Sequence, residues 1–313
     1  MDNRLQSATK GDKSILHPIV RVEIAALNGP EPERFKAELW ATWLVIALAI
    51  TFATTLGTWW AAVMAVFVIG TRQNVLGLLV HEQAHMLGLR GRFGDMFVNL
   101  FAGYPLLILT VEGYAQVHLA HHRNYFKPND PDFARKSGEQ WAFPKSRFEM
   151  ARIFLTDLTG LNLIALVKGK KPSKDAAVFV RRHPTPAGVR PLFFILVMAA
   201  LALTGTWMYF LLFWVVPLLT VTQVLVRWGA ICEHEYNRPE ASVAESTPLI
   251  VLSWWEKLLI PNLNFSLHTY HHFFPGIAFS NLPKVHAIYE REGLLEEANI
   301  FHGNWAYFKF LTK

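Results

Sequence analysis

Two long blocks of this chain carry no charge. From Leu39 to Gly70, and again from Pro191 to Val226, there is no Asp, Glu, Lys or Arg. Each run exceeds the roughly 20 apolar residues with which one helix crosses a bilayer. Each also contains a turn signal near its middle, Gly57-Thr58 in the first and Gly205-Thr206 in the second, so each reads as a helical hairpin. The second helix of the first hairpin continues past Arg72 to Val80 and delivers His81 and His85 where it leaves the lipid. A third apolar stretch, Phe93 to Val111, is broken by Asp95, Asn99 and Gly103-Tyr104-Pro105. Polar groups at that depth need protein partners, which predicts a re-entrant or interfacial segment. The pattern predicts an all-α integral membrane protein with four transmembrane helices in two hairpins, at about 39–80 and 191–226. Residues 1–38 form a polar N-terminal segment, and 39–313 a single membrane domain whose helical cap comprises 81–190 and 227–313.

Charge orients this arrangement. The two short hairpin turns are uncharged, so every Lys and Arg, and both termini, fall on one side, which the positive-inside rule makes cytosolic. Met1 to Glu38 lacks the basic, apolar, small-residue order of a secretory signal. The compact chain without fused domains is expected in a bacterial inner membrane. A hydrophobic content of 52% agrees with the membrane reading. The net charge of +6 comes without a basic helix or an aromatic-basic module, which argues against a nucleic-acid partner. Lys168-Gly169-Lys170-Lys171 reads as a contact to lipid head groups, and Trp59-Trp60 and Trp254-Trp255 as interface anchors. The single cysteine, Cys232, excludes a disulfide framework and a cysteine-ligated iron–sulfur centre within the chain, and reads as a small packing residue.

The chemistry lies in the histidines. His81 and His85 form an H-x-x-x-H pair, while His118, His121 and His122, and then His268, His271 and His272, form two H-x-x-H-H clusters; His234 follows Glu233. On a helix, residues three and four apart share a face, so each cluster can aim at a common point. Nine imidazoles exceed what one ion takes and suggest two, although imidazole suits several metals. Glu82, Asp130, Asp132 and Glu233 are candidates for carboxylates that orient imidazole N–H groups. His17, His183, His286 and His302 lie outside the clusters and are expected not to be ligands. His81-Glu82-x-x-His85 also matches the zinc protease signature with Glu82 as general base, but an intramembrane protease leaves the two later clusters without a task.

The chain resembles the integral-membrane fatty acid desaturase and hydroxylase superfamily, which carries these three histidine clusters in this order around four spanning helices. The third region is closest to bacterial-type lipid desaturases: Pro261-Asn262-Leu263-Asn264-Phe265, then His268 to Pro275, then Ser280-Asn281-Leu282-Pro283 and His286. The resemblance implies two irons held by His81, His85, His118, His121, His122, His234, His268, His271 and His272, with dioxygen as co-substrate and a fatty acyl or lipid chain as substrate. It implies O2-dependent oxidation of an unactivated C–H bond. Loss of a second hydrogen gives a double bond, and oxygen rebound gives an alcohol or, further on, a ketone. Fatty acid desaturation is the expected outcome, and hydroxylation or ketolation of a hydrophobic molecule the alternative. Electrons are expected from a separate ferredoxin, rubredoxin or cytochrome b5 type carrier and its reductase, docking on the cationic cytosolic face.

Overall fold

The computed structural model describes residues 4–161, 179 and 181–312; the basic run Lys168-Gly169-Lys170-Lys171 lies outside them. A short helix α1 (Pro18–Ala25) precedes two long apolar helices, α2 (Pro32–Leu56) and α3 (Trp59–Ala84). Next come α4 (Gly94–Val98), which winds on irregularly to Leu106, and α5 (Val111–Arg123). The amphipathic α6 (Pro131–Lys136) and α7 (Arg147–Leu158) lead to the apolar α8 (Val189–Thr204) and α9 (Trp207–Glu233). Four helices close the chain: α10 (Trp254–Leu259), α11 (His268–Phe273), α12 (Leu282–Arg291) and α13 (Asn304–Leu311). The strands are residual: Ile250 and Val251 pair in parallel with Phe301 and His302.

The ends of the long helices follow local chemistry. Gly57 and Gly205 cap α2 and α8 with φ of 62° and 68°, the left-handed conformation that glycine enters without a Cβ clash. α2 starts before its apolar run because Pro32 occupies its first turn, where the missing N–H has no helical partner to lose. α9 does not stop at Arg227, because Asp157 of α7 accepts from its guanidinium at 3.0 and 3.2 Å and the Trp141 ring lies 4.4 Å away.

Among the described residues three helices, α2, α3 and α9, are long and apolar enough to cross a bilayer. The remaining arm of the expected second hairpin is shorter. α8 has 16 residues, about 24 Å at 1.5 Å per residue, against about 30 Å of hydrocarbon. Its start is set by the preceding chain, which Thr185 ties to Glu112 of α5. α8 buries none of its side chains, and Leu192, Ile195 and Leu203 stand more than half exposed, as on a lipid-facing helix.

The interrupted apolar stretch bends. The segment from Gly94 to Leu106 meets α5 at 90°, and its polar groups all find partners. Asn99 donates to Glu112 and Thr185 and accepts from the Val111 amide. The carbonyls freed by irregular winding are taken by indoles: Trp43 donates to Phe101 O (2.9 Å) and Trp214 to Pro105 O (2.7 Å), with the two rings stacked 5.4 Å apart. Gln73, fully buried in α3, donates to Trp214 O and accepts from Thr222. Broken helix at membrane depth is stable only when its backbone is satisfied in this way.

Asp95 anchors the bend to the end of α3. It accepts from Gln83 and, through both oxygens, from Arg181 at 2.7 and 2.6 Å; Arg181 also donates to the carbonyls of Gln83 and Ala84. The N-terminal residues pack against the cap: Leu16, Val20 and Ile24 share a core with Leu282 and Val285, and Gly29 N donates to Gly276 O at 2.8 Å. Removing one partner of a buried ion pair strands the other charge. Asp95→Ala should therefore destabilise the protein by about 3 kcal/mol or more, read as a lowered unfolding midpoint in detergent, whereas Glu33→Ala, which opens the exposed pair with Lys36, should leave the midpoint in place.

Candidate metal centre

Each histidine is presented by a helix end. His81 sits in the last turn of α3 and His85 caps it. α5 starts on Thr110, whose hydroxyl accepts from the Gly113 amide, and presents His118, His121 and His122 at its far end. His234 caps α9, and the short α11 is built almost entirely of the third cluster. The cap thus brings together all nine clustered histidines, from four places far apart in sequence.

They form two groups. Ligand atoms of His81, His85, His118 and His271 all lie within 4.8 Å of one another, and so do those of His121, His234 and His272. His122 joins the first group, with its Nε2 3.0 Å from both His118 Nε2 and His271 Nε2. His268 joins the second, its Nε2 3.2 Å from His272 Nε2. The groups touch where the rings of His122 and His272 stack, with centroids 4.1 Å apart.

This corrects the expectation that each cluster converges on one point. Consecutive helical residues are about 100° apart, so the last two histidines of an H-x-x-H-H cluster flank the first on opposite sides. In α5 the pair His118 and His122 faces the first group while His121 turns to the second, its Nε2 3.2 Å from His234 Nε2. In α11 the split is reversed: His268 and His272 serve the second group, and His271 reaches the first, 3.4 Å from His118. Neither group is complete without both helices.

The electrostatics favour neutral rings. Burial, and after it the Arg181 charge, pushes His85 down to about 3. Burial likewise holds His234, His268, His271 and His272 well below the usual imidazole range, with neighbouring imidazoles adding to it. A neutral imidazole has one N–H and one lone pair, so nitrogens gathered at 3.0–3.4 Å cannot all be paired by hydrogen bonds. Both nitrogens of His81 and Nε2 of His85 are buried with no partner among the described residues. Imidazoles that share an ion at about 2.0–2.1 Å stand about 3.0–3.4 Å from one another. The donor set therefore fits metal ions, and its all-nitrogen character does not by itself choose among them.

Of the four carboxylates expected to orient imidazoles, one does so. Asp130 is fully buried and lies 2.8 Å from His121 Nδ1, while also accepting from the amides of Phe126, Asp132 and Phe133. That places a proton on Nδ1 of His121 and leaves the Nε2 lone pair facing His234. Glu82 instead accepts from the Phe279 amide at 3.0 Å. Asp132 binds Lys136 and Tyr236; burial, the largest single effect, would raise its carboxyl, but Lys136, His121 and Arg135 together outweigh it and it sits at about 2. Glu233 comes within 3.9 Å of Lys136. These three face away from the rings because their helical positions point them at backbone or at lysine.

Two orienting residues escaped the sequence reading. Tyr125 Oη and Thr247 Oγ1 each lie 3.0 Å from His234 Nδ1, and Ser246 supports the tyrosine at 2.7 Å. Tyr125 falls one turn beyond His121, a spacing that could have flagged it; nothing local marks Thr247. Outside the groups, His286 pairs with the Tyr270 hydroxyl at 3.0 Å and His17 accepts from the Ile19 amide. Cys232 is buried beside Ile231, Tyr236 and Tyr307. Trp59 and Trp254 are 79% and 77% exposed, as an interface position requires.

Comparison with known proteins agrees with this geometry. The chain is 27% identical over 258 residues to dihydrorhizobitoxine desaturase of Bradyrhizobium elkanii, covering 78% of this chain and 72% of that protein. The sequence pattern of the fatty acid desaturase family matches residues 57–304, a span that takes in every clustered histidine. With apolar helices long enough to span a bilayer and histidines grouped for metal, this membrane protein belongs to the fatty acid desaturase family and is an oxidoreductase.

Proposed function

We propose that the chain is a membrane-bound di-iron enzyme that uses dioxygen to oxidise an unactivated C–H bond of a fatty acyl or lipid chain, forming a double bond. The observation that carries this reading is the division of nine buried or half-buried imidazoles into two touching groups. His81, His85, His118, His122 and His271 would hold one iron, and His121, His234, His268 and His272 the other. The irons supply dioxygen activation and the oxidising power for hydrogen removal. The protein's part is to bury the rings, to fix the proton on His121 through Asp130, and to orient His234 through Tyr125 and Thr247. Electrons come from a separate carrier and its reductase, because the single buried cysteine leaves no iron–sulfur ligand set in the chain. Positive charge on the cap favours an acidic carrier.

Desaturation is preferred over hydroxylation because the relative from Bradyrhizobium elkanii is named as a desaturase. That name refers to dihydrorhizobitoxine, so membership of the family leaves the choice of chain open. The zinc protease reading finds little support: Glu82 is held by Phe279, and His81 and His85 share their group with His118 and His271.

Metal analysis of detergent-purified protein should give close to two irons per chain, and His271→Ala should lower that number without unfolding the protein. One zinc per chain, unaffected by His271→Ala, would overturn the reading. Asp130→Asn should weaken iron retention roughly 10- to 100-fold, in line with other carboxylates that orient a ligand histidine, when measured by competition with a chelator. Mass spectrometry of lipids from cells expressing the protein should show loss of two hydrogens. Gain of one oxygen in place of that loss would move the assignment to a hydroxylase.

A further inference from the structure

The rotation of α11 about its own axis decides whether either histidine group closes. At about 100° per residue, this helix divides into two arcs. His268, His271 and His272 face the groups, and Thr269, Tyr270 and Phe273 form the back. His271, at one edge of the ligand arc, serves the first group, while His268 and His272 serve the second. A small turn of the helix therefore carries ligands of both groups off target at once.

Little within α11 fixes that angle. It is shorter than two turns and no side chain caps its start, so its orientation is set by what it packs against. Three contacts hold its back. Thr269 Oγ1 donates to Thr247 O at 3.1 Å, and Phe273 lies in the apolar core shared with Leu282 and Val285 of α12. Tyr270 reaches across to α12, where its Oη stands 3.0 Å from His286 Nδ1. The hydroxyl sits at the tip of the longest side chain on the back, so a bond made there resists rotation on the longest arm.

That bond has no substitute among the described residues. Tyr270 is fully buried against the Tyr289 ring, 4.9 Å away, and the Tyr289 hydroxyl itself is buried without a partner. Without His286 the Tyr270 hydroxyl would be stranded in apolar surroundings. His286, half-buried, is carried by a rigid frame. α12 holds none of the nine clustered histidines, buries Leu282, Val285, Ile288 and Tyr289 in the core, and is preceded by Asn281, which donates to Leu27 O at 3.3 Å. The run from Ser280 to His286, which the two histidine groups leave without a task, ends on this contact.

We infer that His286 is a positioning residue: through Tyr270 Oη it sets the rotation of α11, and with it the division of the third cluster between the two groups. The inference rests on the proposed reading of the groups as metal sites, and not on which metal or substrate they take.

The test is competition with a chelator on detergent-purified, iron-loaded protein, with the visible spectrum of the cobalt-loaded protein as a readout of ligand geometry. Tyr270→Phe and His286→Ala should each weaken metal retention roughly tenfold, as loss of a residue that orients a ligand does, and should alter the cobalt spectrum. The double variant should lose no more than either single one, because both remove the same contact. His286→Asn, whose amide oxygen can stand where Nδ1 does, should restore most of the retention. Tyr270→Phe keeps the ring and removes only the hydroxyl, so wild-type retention and spectrum in that variant would overturn the inference even if His286→Ala failed to fold. Losses that multiply in the double variant would overturn it too. Zinc in place of iron in the wild type, with the same coupling between Tyr270 and His286, would sink the di-iron reading and leave the positioning role standing.

Discussion

Nine imidazoles packed against one another form a set of lone pairs that cannot all satisfy one another. Each neutral ring offers one N–H, yet three Nε2 atoms of the first group lie 3.0–3.4 Å apart, and those of His121 and His234 face each other at 3.2 Å. Burial opposes the alternative of protonating His85, His234, His268, His271 and His272, whose pKa values it holds low. A cation at each point of convergence removes the conflict. The rest of the cap reads as the structure needed to hold these rings in place.

That holding is distributed. The exchange of histidines between α5 and α11 makes the two groups one unit, so neither helix can shift without disturbing both. The end of α3 is fixed by Arg181, which binds its last carbonyls and Asp95 together. The bend before α5 is fixed by Asn99, Glu112 and Thr185. Below it, the stacked indoles of Trp43 and Trp214 satisfy the irregular backbone at membrane depth. Polar groups that would be costly in lipid are thus placed where each fixes an element carrying a ligand.

Under the proposed function, a buried all-nitrogen centre beside apolar helices would oxidise a substrate held in the lipid layer. The same ligand set serves removal of two hydrogens or insertion of oxygen, so the outcome depends on how the chain is held and not on which residues bind metal.

The periodicity of charge and the spacing of histidines were enough to locate the apolar helices, the turns at Gly57 and Gly205, and the nine imidazoles, because these depend on local rules: hydrophobic length, glycine conformation and helical repeat. The same rules placed Asp95 and Asn99 as polar groups in need of partners. They could not supply those partners. Arg181, Thr185, Tyr125 and Thr247 act across long separations in the chain, and only tertiary packing brings them into reach. Nor could local rules foresee that each H-x-x-H-H cluster divides between two groups, since a helical wheel shows which residues diverge but not what stands on either side. The histidines and their spacing were legible in the sequence; their division into two groups, and the choice of Asp130 over Glu82, Asp132 and Glu233 as the carboxylate that orients an imidazole, were decided by the fold, because both are relations between residues that the chain itself keeps far apart.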